Sequence, residues 1–162
     1  MSSFPRLLFA TLLTALALSP AQARLGESLP EISKKFGKPA GQPRKDNVYW
    51  LFEGEDGLLA YTVTFNTKGQ SIAEGLKPVR RARFSEKAAT DFIATQVAHL
   101  QDSKTIRIIA AGEKYRFAGE DFVCAPNEYV VLDEPGGLLL IWSKAINPAV
   151  MVVAPEMFQR GK

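Results

Sequence analysis

Residues 26–39 of the chain are GESLPEISKKFGKP, and this stretch predicts a short helix with both of its ends defined. Ser28 and Glu31 have the S-x-x-E spacing of a capping box, in which each side chain pairs with the backbone of the other residue. Gly37 can adopt the left-handed conformation that ends a helix, and Pro39 prevents the helix from continuing. The apolar residues between these ends share one helix face and are Leu29, Ile32 and Phe36.

Three strands are predicted after this helix, and with it they fill residues 24–80. The strands are residues 48–52, 58–65 and 70–76. In the second strand Tyr61, Val63 and Phe65 alternate with threonines, the period of an antiparallel strand with one exposed face. A glycine-containing turn at 66–69 leads into the third strand. We therefore expect a helix followed by an antiparallel meander.

Residues 81–162 predict a second helix and further antiparallel strands. The helix extends from Ser85 to about Gln101 and places its apolar residues on one face. The strands are residues 105–110, 115–117, 122–124, 128–132 and 138–142. Because residues 138–142 are continuously apolar, we expect them in the middle of the sheet, whereas residues 150–153 should form an edge strand or cover the sheet. The chain is thus predicted to be an α+β protein, an antiparallel sheet with two helices packed on one face.

The order of these elements also suggests a tandem helix-plus-three-strand repeat in which both copies share one core. Residues 52–56 and 117–121 match as F-x-G-E-D, and a strand follows each of them. A match this short also arises by chance, so both interpretations stay open.

The first 23 residues predict a secretory signal peptide that is cleaved after Ala23. Arg6 provides the positive charge of the n-region, residues 7–18 form the apolar h-region, and Ala21 and Ala23 are the small residues of the cleavage site. A membrane-spanning helix needs about 20 apolar residues, so this run is too short to be an anchor. Arg24, not Cys, would begin the mature chain, and no lipid anchor is expected. These features predict bacterial export, to the periplasm or out of the cell.

Few residues of the chain suit catalysis or metal binding. The sequence has one Cys and one His, which excludes an intramolecular disulfide and argues against a zinc site. We interpret Cys124 as a buried apolar side chain, with an intermolecular disulfide as the alternative. His99 is interpreted as flanking the second helix, with a pH switch or general base as the alternative. The Glu-Asp pairs at 55–56 and 120–121 stand beside glycines and are interpreted as solvated turn residues. Because the common catalytic and nucleotide-binding motifs are absent from the sequence, we expect no enzyme, cofactor or metal.

The charge of the chain is small but unevenly distributed. The sequence has 20 basic and 17 acidic residues; without Arg6 the balance is 19 to 17, a net charge of +2. This excess is too small to predict nucleic-acid binding. Arg80, Arg81 and Arg83 concentrate positive charge before the second helix, whereas residues 113–134 are acidic. The three arginines are either solvated or contact an anionic partner, such as lipid headgroups or an acidic protein face.

The opening stretch resembles the G-x-[ST]-x-x-x-[VI]-x-x-x-[LF]-G-x-P signature of the small-protein-A, or BamE-like, outer-membrane lipoproteins of the barrel-assembly machinery. The matching residues are Gly26, Ser28, Ile32, Phe36, Gly37 and Pro39. Residues 47–52 and 61–69 resemble the family's first strand and its second strand with the following turn. The resemblance covers residues 25–78 and implies a helix-and-meander fold, which β-lactamase inhibitory proteins contain in tandem, and a role in barrel assembly. The lipidated Cys of the family is absent here, and the short lipoproteins have no counterpart of the second half.

We expect a non-catalytic exported protein that acts as a binding or scaffolding module in the bacterial cell envelope, with an envelope protein or an anionic surface as its partner. The alternative is a small-ligand carrier or an enzyme whose site lies between the second helix and the sheet. A carrier should contain a cavity of roughly 300 Å³ or more near Phe92 and Tyr115, whereas a scaffold should expose a binding patch.

Overall fold

A computed structural model describes residues 25–55, 57–80, 84–97 and 105–159, and within them the fold is α+β and mostly sheet. The helices are α1 (Leu29–Phe36), α2 (Glu86–Val97) and α3 (Glu156–Gln159). The strands of the first half are β1 (Gly41–Arg44), β2 (Asn47–Gly54), β3 (Gly57–Phe65) and β4 (Ser71–Pro78). Those of the second half are β5 (Arg107–Ile109), β6 (Lys114–Phe117), β7 (Glu120–Val123), β8 (Glu128–Asp133), β9 (Leu138–Ser143) and β10 (Ala149–Val153). The predicted α+β class with an antiparallel sheet is confirmed.

Eight strands form one antiparallel sheet in the order β1-β2-β3-β4-β10-β9-β8-β5, and β6 and β7 form a separate hairpin. The last strands of the two halves are neighbours, since β10 pairs with β4 from Val150 opposite Leu76 to Val153 opposite Ala73. On its other side β10 pairs with β9. The prediction that residues 150–153 form an edge or a cover is therefore wrong. Val150 and Val152 are fully buried in the centre of the sheet.

Helix α1 has the ends that its sequence predicts. The backbone N–H of Ser28 donates to Glu31 Oε2 at 2.7 Å, and Gly37 has a φ of 79°. Trp50 in β2 donates from Nε1 to the carbonyl oxygen of Gly37 at 2.9 Å. The short helix is thus attached to the sheet at its C-terminal end.

Strand β1 and the end of α2 are two places where the structure differs from the predicted elements. The sequence does not predict β1, which contains Pro43 and lies at an edge of the sheet, where a strand tolerates a residue without an N–H group. Within the described residues α2 ends at Val97, and the predicted helical residues 98–101 lie outside them.

The two faces of the sheet bear separate hydrophobic clusters. The first cluster combines Ile32 of α1 and Phe92 of α2 with Leu140 of β9. The second combines Leu139 of β9 with side chains from β6, β8 and α3. Successive residues of a strand point to opposite faces, so Leu139 and Leu140 mark the two faces at one place. We call the face with Leu140 the helix face and the other the outer face.

The two F-x-G-E-D segments occupy different positions in their hairpins. Gly54 of the first segment pairs with Gly57, so the turn follows the glycine. In the second, Phe117 pairs with Glu120, so the turn contains Gly119 itself. The shared motif therefore does not mark equivalent residues.

Candidate functional site

The basic segment that the sequence singled out begins at the end of β4. Arg80 is exposed and has a φ of 60°, in the left-handed region that side chains other than glycine seldom adopt. Lys77, three residues earlier, is exposed as well. Arg81 and Arg83 lie outside the described residues. The structure therefore brings Arg80 together with Lys77, and these two cations lie at one end of β4.

Both cations line a groove of about 1330 Å³ on the outer face of the first half. The floor of the groove comes from β2 and β3 and includes Leu51 and Thr62. These residues alternate along their strands with Trp50 and Tyr61, which belong to the cluster of the helix face. The groove therefore lies on the side of the sheet away from that cluster.

The lining of the groove combines apolar surface with positive charge. Ile146, in the loop between β9 and β10, is 98% exposed and belongs to the lining. Among the described residues that line the groove, the charged ones are Lys77 and Arg80. No described lining residue is Asp or Glu. The arrangement favours a ligand that is negatively charged and has apolar parts.

A glycine in β1 positions one aromatic ring of this lining. Gly41 stands opposite Tyr49 in the pairing of β1 with β2. A methyl group on Gly41 would lie 2.6 Å from the Tyr49 ring, closer than atoms can approach. The absence of a side chain at Gly41 therefore lets the ring lie over β1 at the margin of the groove.

The helix face contains a buried polar cluster that the sequence analysis missed. Glu74 of β4 is 1% exposed and accepts hydrogen bonds from Tyr61 at 2.7 Å, Gln96 at 3.0 Å and Ser71 at 3.1 Å. The strand pattern could have indicated that Glu74 is buried, because Glu74 follows Ile72 by two residues and the two side chains lie on the same face of the strand. We call these four residues the Glu74 cluster.

Burial raises the pKa of Glu74 above its ordinary value, and the nearby charge of Glu27 adds to this rise. The hydrogen bonds from Tyr61, Gln96 and Ser71 act in the opposite direction. The pKa of Tyr61 is raised by burial and by the adjacent Glu74 carboxyl group. Since Gln96 belongs to α2 and the other three residues to the sheet, the cluster joins the second helix to strands of the first half.

Phe92 and Tyr115, near which a carrier cavity was expected, lie on opposite faces of the sheet. Phe92 belongs to the cluster of the helix face and Tyr115 to that of the outer face, so the sheet separates them. A different hollow of about 610 Å³ is lined by Ser71 and Gln96 of the Glu74 cluster and by Gly136.

The structure describes only some of the remaining candidates for chemistry. His99 and Asp56 lie outside the described residues, and Asp121 pairs with Arg116 at 3.8 Å on the surface. In the part of the chain that the structure describes, no three His, Cys, Asp or Glu side chains are placed to hold a metal ion. Within the same ranges, no helix is long and apolar enough to cross a membrane.

Cys124 is buried, as predicted, and is a free cysteine in this structure. Its sulfur contacts the carbonyl oxygens of Ile109 at 3.7 Å and Glu128 at 3.6 Å, and burial raises the pKa of the thiol. We expect the native protein to react with a thiol reagent at least about a hundredfold more slowly than the urea-unfolded chain, because only the exposed thiolate reacts. The rate of DTNB modification measures this, and equal rates in both states would contradict burial.

No protein-family model, curated protein or solved structure matches this chain.

Proposed function

We propose that the protein is a non-catalytic binding or scaffolding module of the bacterial cell envelope, exported with residues 1–23 as its signal peptide. One observation carries this proposal: an open groove with apolar surface and two cations, Lys77 and Arg80, and no carboxylate among its described lining residues. Such a surface is suited to holding an anionic partner, either an envelope protein or an anionic surface. Arg81 and Arg83 would extend the same positive segment.

We also propose that both helices cover the helix face and that the halves are tandem copies. Ile32 of α1 and Phe92 of α2 belong to one hydrophobic cluster, which supports the shared face. The strand order supports the duplication. Each half contributes four neighbouring strands to the sheet, in chain order from an edge to the centre: β1 to β4 from one edge, and β5, β8, β9 and β10 from the other. The resemblance of residues 25–78 to the BamE-like lipoproteins is consistent with a scaffolding role.

The double substitution Lys77→Ser and Arg80→Ser tests the role of the cations. Each exposed ion pair contributes about 0.2–1 kcal/mol, so the loss of both should weaken binding about two- to thirtyfold at low salt. The measurement is the NaCl concentration at which envelope proteins elute from the immobilised mature protein, which should fall.

The matched control is Lys34→Ser with Lys68→Ser, which removes the same charge. Lys34 is exposed on α1 and Lys68 is exposed in the turn between β3 and β4, and neither lines the groove. An equal fall in both double variants would show a response to net charge only and would refute a localised contact.

The second candidate function, a small-ligand carrier, is favoured by the hollow of about 610 Å³ beside Ser71 and Gln96. Its volume lies within the range of ligand sites. Native mass spectrometry of the protein purified from its own envelope distinguishes the two functions, since a carrier retains a bound small molecule and a scaffold does not.

A further inference from the structure

We propose that the groove on the outer face binds an extended acidic peptide segment with apolar side chains between its carboxylates. This inference rests on the proposed function and specifies the partner for the same surface. It is carried by the uneven cover of the outer face, by the chemistry of the lining and by the shape of the groove.

The outer face is covered in the second half. Phe117 of β6 and Phe158 of α3 are in edge contact, with ring centroids 5.8 Å apart, and both belong to the cluster that packs on Leu139 of β9. On the first half the same face bears the groove, and Leu51 there is 42% exposed. Among the described residues, then, the chain covers its outer face with aromatic side chains in one half and leaves apolar surface accessible in the other.

The lining chemistry selects the occupant. Leu51 and Ile146 provide apolar contacts, and Thr62 provides a hydroxyl group. Lys77 and Arg80 provide the charge, and an arginine can bind a carboxylate through two parallel hydrogen bonds. A peptide that carries both acidic and apolar residues meets both requirements, because its apolar side chains can contact Leu51 and Ile146 while its carboxylates pair with Lys77 and Arg80.

The shape of the site distinguishes a peptide from a membrane. The lining extends from Pro43 of β1 to the loop with Ile146, and the surface between them is concave. The surface of a bilayer is flat on this scale and would leave most of the concave surface without contacts. An extended chain can enter the groove along its length.

The test is selection of peptides from a phage-displayed library of random linear sequences on the immobilised mature protein. We expect enrichment of sequences with Asp or Glu interspersed with apolar residues. A selected peptide, labelled with fluorescein, should bind about fivefold or more weakly to the variant Leu51→Ser with Ile146→Ser, because side chains at the centre of an interface contribute most to affinity.

The matched control is Ile108→Ser with Val123→Ser, on β5 and β7 of the second half. These side chains are 72% and 57% exposed, so both double variants should keep the fold, as an unchanged melting curve by circular dichroism would show. The control should bind the peptide like the wild type. Enrichment of basic sequences, no enrichment, or an equal loss in both variants would overturn the inference.

Vesicles of phosphatidylglycerol and phosphatidylcholine form the other arm. If they bind and the binding is lost in the Lys77→Ser and Arg80→Ser variant but not in the Leu51→Ser and Ile146→Ser variant, the partner is a lipid surface. In that case the proposed anionic contact would stand and the peptide inference would fail. Binding of the peptide and not of vesicles is the result we expect.

Discussion

Replacing Trp50 with Ala should lower the free energy of unfolding by about 3–5 kcal/mol, the usual cost of removing a large buried aromatic side chain. Trp50 is 2% exposed, and its ring packs near those of Phe36 and Tyr61, at centroid distances of 6.0 and 5.9 Å. It also donates the hydrogen bond to Gly37 that attaches the end of α1. Since a domain of this size is stable by about 5–15 kcal/mol, this one substitution should remove a large part of its stability.

Urea unfolding followed by circular dichroism measures this loss. Trp50→Phe is the control, because it keeps most of the apolar surface and removes the hydrogen bond, and it should cost about 1–3 kcal/mol. A loss below about 1 kcal/mol for the Ala variant would contradict the packing of β2 against α1.

The same variants test whether the halves unfold together. The sequence has two tryptophans, and Trp142 lies in β9 of the second half. Trp50→Phe therefore leaves a fluorophore in the second half only, and Trp142→Phe leaves one in the first. Because β4 and β10 join the halves in one sheet, we expect each variant's fluorescence and circular dichroism transitions to coincide. Separate transitions would show independent halves.

The second large effect is expected at Glu74. Glu74→Ala should lower the free energy of unfolding by about 3–5 kcal/mol, because it removes three buried hydrogen bonds, from Tyr61, Gln96 and Ser71, at about 0.5–1.5 kcal/mol each, together with the packing of the side chain. Glu74→Gln preserves the shape and an acceptor oxygen and should cost much less.

The difference in the free energy of unfolding between Glu74→Gln and the wild type should depend on pH. Burial raises the pKa of Glu74 in the folded protein above its ordinary value of 4.5. The folded state therefore binds the proton more tightly than the unfolded state, and the stability from this group is full below pH 4.5 and is lost as the pH rises through the folded pKa. Glutamine does not titrate, so the stability of the variant relative to the wild type should increase with pH over that window. Glu27 and Tyr61 are the other titratable groups that interact with Glu74 and remain in both proteins.

Glu31→Gln is the control of opposite sign. The hydrogen bonds from Ser28 lower the pKa of Glu31, so its contribution is present above the ordinary pKa and is lost on acidification. Relative to the wild type, this variant should be less stable at neutral pH and recover as the pH falls. Urea unfolding at a series of pH values measures both trends. If the stability of Glu74→Gln relative to the wild type decreased with rising pH, the burial of the carboxyl group would be contradicted.

The elements that depend on near neighbours could be predicted from the sequence. The capping pair of Ser28 and Glu31 and the stop at Gly37 define α1, because capping is a contact over three or four residues. The alternation around Tyr61 defines β3 for a similar reason. Arg80 could be selected as a candidate because charge is a property of the residue itself.

The groove and the Glu74 cluster could not be predicted in the same way. Gln96 is 22 residues from Glu74 in the chain, and Ile146 is farther still from Leu51, so neither site exists before the sheet is assembled. Whether an exposed apolar residue faces a groove or bulk solvent depends on which face the other elements cover. A periodic pattern shows that one face of a helix or strand is apolar, but it does not show which element packs against that face.

The amino-acid sequence by itself determined that the chain is α+β, where α1 begins and ends, which residues of β3 point inward and that positive charge gathers at Arg80. Only the tertiary structure decided that β10 lies at the centre of the sheet, that Glu74 is buried among hydrogen-bond donors and that Lys77 and Arg80 line a groove. The physical reason is the range of the interactions. Capping, turn formation and strand alternation act between residues a few positions apart, whereas strand order and burial depend on contacts between distant segments that form together in the folded protein.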